Sequence, residues 1–262
     1  MTISNNRKLP VAAIFLAAIS LPFQHYRLLF KVGLPLIISG ALLFIVLDPV
    51  SAESEEAAPP AILSMGLGIM FLVSLVMAVV GCHRIFLMSP NVVEDAKPFH
   101  WTGNEIKYAG WWLLIGICIY LVIIPFSLLL IPLMMNSALS NALENEVIIY
   151  LLLGLVYLPL LYIISRWSLV LPSSAIDIHG KSLGWSWRLS EGNGWRLTLL
   201  IGILPLMMDI LFTLLPAYDS PVFSIFYGAV WLIIGVVEIG LLSLSYAFLV
   251  SENRDEPEIV SG

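Results

Sequence analysis

Six stretches of this chain stay apolar for about as long as a bilayer is thick, and that fact limits the possible folds more than any other. Crossing the hydrocarbon layer takes about 20 mostly apolar residues as a helix, or about 10 alternating ones as a strand. The runs here are long and do not alternate, so they read as helices over roughly 33–49, 61–82, 109–134, 147–169, 196–215 and 222–250. Composition agrees: 60% of the 262 residues are hydrophobic and 11% charged. A soluble domain carries about 25% charge, and a water-soluble fold of this length could not hide so much apolar surface. Disorder, collagen, coiled coil and a disulfide-stapled module are excluded on the same grounds. The expected fold is an all-α integral membrane protein, residues 1–262 forming a single transmembrane domain.

Charge is sorted by side. The loop after the first run holds Asp48, Glu53, Glu55 and Glu56, the loop after the third holds Glu144 and Glu146, and the loop after the fifth holds Asp219, all without a base. The opposite side takes every Lys and Arg: Arg7, Lys8, Arg27, Lys31, Arg84, Lys97, Lys107, Arg166, Lys181, Arg188, Arg196 and Arg254. Bases stay in the cytoplasm during insertion, so both termini are expected there. Arg7 and Lys8 before LPVAAIFLAAIS also look like the start of a signal peptide. The preferred reading is an uncleaved segment lying along the headgroups. In it Gln24, His25, Arg27 and Lys31 interleave with Phe23, Leu28, Leu29 and Phe30.

An internal repeat is suggested by two Arg–Pro pairs, Arg84 to Pro90 and Arg166 to Pro172, each with five residues between. GWWLLIGI from Gly110 matches GWRLTLLIGI from Gly194, and Gly33 onward echoes Gly202 onward less well. The repeat units would be about 10–83, 84–165 and 166–251. Each would hold a cytoplasmic interfacial amphipathic helix, three in all: Pro22–Lys31, Trp101–Tyr108 and Lys181–Glu191. Thr102 and Glu105 have the spacing of a capping box. Gly192 suits the end of the third piece, and Asn193 suits the cap of the span that follows.

Two acids fall within spans, Asp209 and Glu238. An ionised acid at mid-bilayer costs about 2.5–3.5 kcal/mol on insertion scales, so such residues face a partner or a cavity. Counting depth along straight helices separates the two by about 15 Å and makes them distinct sites. Pro125, Pro159 and Pro205 lie near the middle of spans three to five, where a proline frees a backbone carbonyl and kinks the helix. On the cytoplasmic side Arg166, Asp177, His179, Lys181, Trp187, Arg188 and Arg196 could form a headgroup site, or an ordinary anchor of bases and indoles. Cys82 and Cys118 read as small buried hydrophobes. His25, His83, His100 and His179 lack ligand spacing, so no metal is expected. No catalytic residues and no cofactor are expected either, since no nucleophile elbow, phosphate loop or dinucleotide fingerprint is present. The scattered bases make no nucleic-acid groove.

The stretch Arg166 to Arg196, RWSLVLPSSAIDIHGKSLGWSWRLSEGNGWR, resembles a signature of the YciC-like bacterial inner-membrane proteins. It is also similar to the membrane domain fused to some glycerophosphoryl diester phosphodiesterases. Arg166, Pro172, Asp177, Ser186, Trp187, Leu189, Gly192, Asn193 and Trp195 carry the likeness. It implies a fold and an inner-membrane location. The phosphodiesterase activity belongs to a separate soluble domain, so no catalytic residue is carried over. The expected function is non-enzymatic binding or transport of a lipid or small amphiphile. Membrane lipids are the expected partners, and Glu238 would be the intramembrane site. A scaffold for other membrane proteins, working through its acidic outer loop or its tail, is the rival reading. An enzyme acting on headgroups near Asp177 and His179 is a weaker one.

Overall fold

The structure is a computed structural model that describes residues 8–47, 61–89, 101–135, 146–178, 180–213 and 221–254. All the secondary structure among the described residues is helical, with no strand. The long helices are α1 (Val11–Gln24), α2 (Tyr26–Leu47), α3 (Ala61–Leu87), α4 (Gly103–Met135) and α5 (Glu146–Trp167). Two short helices follow, α6 (Val170–Ala175) and α7 (Leu183–Leu189). The chain then continues as α8 (Gly194–Leu197), a π-helical segment (Thr198–Ile203), α9 (Leu204–Thr213) and α10 (Pro221–Arg254).

Five stretches are long and apolar enough to cross a membrane: Tyr26–Val46, Ile62–Leu87, Gly103–Pro125, Gly194–Phe212 and Phe226–Glu252. Their outward faces carry Phe44, Ile45, Ile62, Leu113 and Leu121, all more than half exposed. In water that surface would drive aggregation; in hydrocarbon it is the expected exterior. This is a multi-pass membrane protein.

The core gathers at the end of the bundle where the bases lie. Leu9, Val80, Leu169, Val170, Ala175, Leu197, Leu200, Leu241 and Leu249 form one buried cluster there. The short helices α6 and α7 roof it, and α4, α5 and α10 enter it from below.

The first 20 or so described residues differ from expectation. Pro22–Lys31 is not one interfacial helix but is split at His25, where the backbone leaves helical geometry (φ −113°, ψ 20°). The reason lies in the pattern before it. Ile14, Ala18 and Leu21 form a buried stripe on α1, which packs on α10. Gly240 permits that approach, since a Cβ there would sit 2.8 Å from Leu21 Cδ1. The stretch read as a signal-like or surface segment is therefore a helix with one face packed on α10 and with Leu16 and Phe23 exposed on the other, and the apolar stretch long enough to span begins at Tyr26. Likewise Trp101–Tyr108 is no separate helix: from Gly103 it runs on unbroken into the span. The expected capping box does form, with Glu105 Oε2 accepting from the Thr102 N–H at 2.7 Å.

The prolines behave unequally. Pro125 and Pro159 lie on exposed faces inside continuous helices. Pro205 has no N–H to donate to the carbonyl of Ile201, and the π-helical turn falls just before it. That same stretch presses on α5 through two glycines. A Cβ at Gly194 would lie 2.6 Å from the Tyr162 hydroxyl, and one at Gly202 would lie 3.2 Å from Leu161 Cβ.

Candidate functional site

The polar chemistry of the basic end begins with the ending of α6. Ile178 N–H reaches back to the Ser173 carbonyl at 2.9 Å and Asp177 N–H to the Ser174 carbonyl at 3.3 Å. This crossed pair is a Schellman ending, which needs a left-handed residue at the position Asp177 fills. Glycine is the usual occupant; here an aspartate takes it with φ +61°. A non-glycine residue in this region is held there by its surroundings, and such residues gather at functional sites.

What holds it is visible. Asp177 Oδ1 lies 3.2 Å from Lys107 Nζ, one turn before Trp111 on α4. These side chains, with Ser173, Ser174 and Lys181, line a pocket of about 200 Å³. Ser174 is 94% buried by its 6% exposure, and its hydroxyl has no hydrogen-bond partner. Lys181 Nζ lies 4.6 Å above the Trp185 ring at the rim. The pocket thus offers two ammonium groups, one carboxylate, an unsatisfied hydroxyl and an indole wall.

Its floor is rigid. Arg84, at the end of α3, bonds Glu105 Oε1 at 3.0 Å, Thr102 Oγ1 at 3.1 Å and the Ala175 carbonyl at 3.0 Å. One guanidinium therefore ties α3 to the start of α4 and the end of α6. Beneath it His83 is fully buried between Ser243 Oγ (2.8 Å) and the Tyr108 hydroxyl (3.3 Å). Ser243 donates to the Ile239 carbonyl at 2.8 Å. It must then accept from His83 Nδ1–H, which leaves Nε2 to accept from Tyr108.

The sequence-level headgroup cluster is not brought together as one site. Asp177 and Lys181 line the pocket. Arg166 is consumed elsewhere. Its Nε donates to Ser190 Oγ at 2.7 Å, Nη1 donates to the Tyr162 hydroxyl at 3.2 Å, and Nη2 donates to the Trp187 carbonyl. Its guanidinium lies 3.7 Å over the Trp187 ring, so Arg166 and Trp187 form a clamp between α5 and α7. Arg196 donates to the Leu9 carbonyl at 2.8 Å. Arg188 is exposed, and His179 lies outside the described residues. Asn193 precedes α8 without capping it; its Oδ1 accepts from the Leu9 N–H at 2.8 Å instead.

Asp209 and Glu238 lie on the neighbouring helices α9 and α10. Phe212 stacks on Tyr227 with centroids 4.0 Å apart, which sets the register of α9 against α10. Glu238 then lies about 12 Å along the axis from the level of Asp209, by eight residues of rise. Glu238 Oε1 is buried without a hydrogen-bond partner.

Sequence reasoning missed Lys107, Trp111, Ser174 and the Arg84–Glu105 pair as parts of one place. The four-residue spacing of Lys107 and Trp111, on the helix opened by the Thr102–Glu105 box, was the available signal. Among the described residues no group of three or more His, Cys, Asp or Glu side chains is placed to hold a metal. The chain matches no family model, no curated protein and no solved structure.

Proposed function

We propose that this is a non-enzymatic, six-span protein of the bacterial inner membrane, with both termini cytoplasmic, that binds and passes on a lipid or small amphiphile. The pocket between Lys107, Asp177 and Lys181 carries the reading. It opens at the end of the bundle that holds the bases, where the positive-inside rule puts the cytoplasmic headgroups. Its volume of about 200 Å³ is below the usual 300 Å³ for a whole drug-sized ligand, so it suits a polar head with the tail left outside. Trp111 at its wall and the exposed Leu114, Ile117 and Leu121 further along α4 offer an apolar track for that tail.

Helix α5 would be the sixth span: its 22 residues rise about 33 Å, enough for a hydrocarbon layer of about 30 Å. The threefold repeat draws support from two arginines. Arg84 bonds Glu105, and Arg166 bonds the carbonyl of Trp187, the same number of residues further on in each case. The YciC-like resemblance fits this location. Glu238 and Asp209, beside the π-helical break before Pro205, would supply a deeper polar path.

The test is native mass spectrometry of the full chain released gently from its own membrane. A stoichiometric lipid or amphiphile, lost in the Lys107→Gln/Lys181→Gln variant, is expected. A bare protein, or one carrying only partner subunits, would transfer the proposal to the scaffold reading. Retention unchanged in Glu238→Gln would remove that acid from the path.

A further inference from the structure

Resting on the reading that the pocket holds a lipid head, we infer that it selects a zwitterionic glycerophospholipid with a primary ammonium. Lys107, Lys181 and the Ser174 hydroxyl take the phosphate, and Asp177 takes the ammonium.

The two ends of such a head match what the pocket already holds. Lys107 and Asp177 form an ion pair about half exposed on each side, a kind worth about 0–1 kcal/mol. It opens at little expense, and opening it presents one cation and one anion a short distance apart. A phosphate joined to an ammonium through two methylenes presents the complementary pair. The exchange keeps every charge partnered.

The carboxylate is what decides between heads. A purely anionic head would satisfy the lysines but bring negative charge against Asp177. A quaternary ammonium has no N–H to donate to Oδ1. A primary ammonium supplies both charge and donors. Asp177 is fixed for this task by the left-handed ending of α6, not left on a flexible loop. The Ser174 hydroxyl, buried and unpartnered on the pocket wall, is a donor still in need of an acceptor, and a phosphate oxygen is one.

The experiment places the full chain in nanodiscs of equal phosphatidylethanolamine, phosphatidylcholine and phosphatidylglycerol, then reads the retained lipids by native mass spectrometry. Phosphatidylethanolamine is expected to exceed each of the others by roughly tenfold, the effect of one charge-assisted hydrogen bond. Asp177→Asn is the informative variant, because asparagine tolerates the left-handed conformation and the fold is kept. It is expected to bring the three lipids close to parity with unchanged thermal stability, while Lys107→Gln lowers retention of all three. Soluble glycerophosphoethanolamine is expected to displace the lipid where equimolar inorganic phosphate does not. Equal displacement by phosphate would overturn the role of the ammonium. Lipid retained without preference and unaltered by Asp177→Asn would overturn this inference and leave lipid binding standing. No lipid from any mixture would overturn both.

Discussion

Arg84 Nη1 lies 3.0 Å from Oε1 of Glu105, whose side chain is 2% exposed. The arginine also donates from Nη2 to Thr102 Oγ1 and from Nε to the Ala175 carbonyl, so neither charge of this pair is left without a partner. A pair of this kind is costly to break from one side and cheap to replace from both. Glu105→Ala is expected to destabilise the protein by about 3 kcal/mol, since it leaves a partly buried guanidinium facing an empty space. The Arg84→Met/Glu105→Leu double variant should recover most of that loss. Unfolding by SDS in bicelles measures both. Equal losses in the single and double variants would show that the pair is not coupled.

Close helix packing gives a sharper expectation. A Cβ at Gly81 of α3 would lie 2.1 Å from Cγ1 of Val32 on α2. Valine in a helix has essentially one rotamer, so the methyl cannot swing clear. Gly81→Ala should therefore push α2 and α3 apart and destabilise by about 1–3 kcal/mol. Val32→Ala in the same chain should restore most of it. Failure of the rescue in the same bicelle titration would place the strain elsewhere.

Length and polarity were enough to read five of the six expected spans, because both are summed over 20 residues and tolerate local error. The ends of those spans depend on single contacts, which no sum records. Leu21 against Gly240 sets one face of α1 on α10, and it joins residues far apart in sequence. Asn193 shows the same limit. It stands at a helix start with a side chain suited to capping, yet it serves the Leu9 N–H, a partner that only folding brings near. At the pocket, Asp177 and Lys181 were legible as charges beside indoles. Lys107 comes from another helix, and the strain at Asp177 is a backbone property that composition does not carry.

That strain can be tested by itself. Asp177→Gly removes a left-handed penalty that is smaller for aspartate than the about 1–2 kcal/mol of most residues, and forfeits a half-exposed ion pair of at most about 1 kcal/mol. Stability should stay level or rise slightly. Asp177→Val keeps neither benefit, and a β-branched residue is poorly accommodated at φ +61°. It should destabilise by at least about 1–2 kcal/mol. Thermal unfolding of the two variants side by side separates backbone strain from charge. A destabilised glycine variant would mean that the aspartate side chain, not the turn, holds this ending together.

The N-terminal helix depends on a small polar latch. Leu9 is fully buried; its N–H reaches Asn193 Oδ1 at 2.8 Å, and its carbonyl accepts from Arg196 Nη1 at 2.8 Å. Both latch residues lie at the start of α8, so one short turn holds the entry to α1. Asn193→Ala leaves a buried N–H unsatisfied, a loss of about 1–3 kcal/mol, whereas Arg196→Ala removes a donor from a carbonyl that keeps a second lone pair. The asparagine change should therefore loosen α1 more than the arginine change does. Hydrogen exchange read peptide by peptide is expected to show faster exchange over Val11–Gln24 in Asn193→Ala, with α3 and α4 unaffected. If exchange sped up equally in every helix, the latch would belong to the global fold, and α1 would not be a separately opening element.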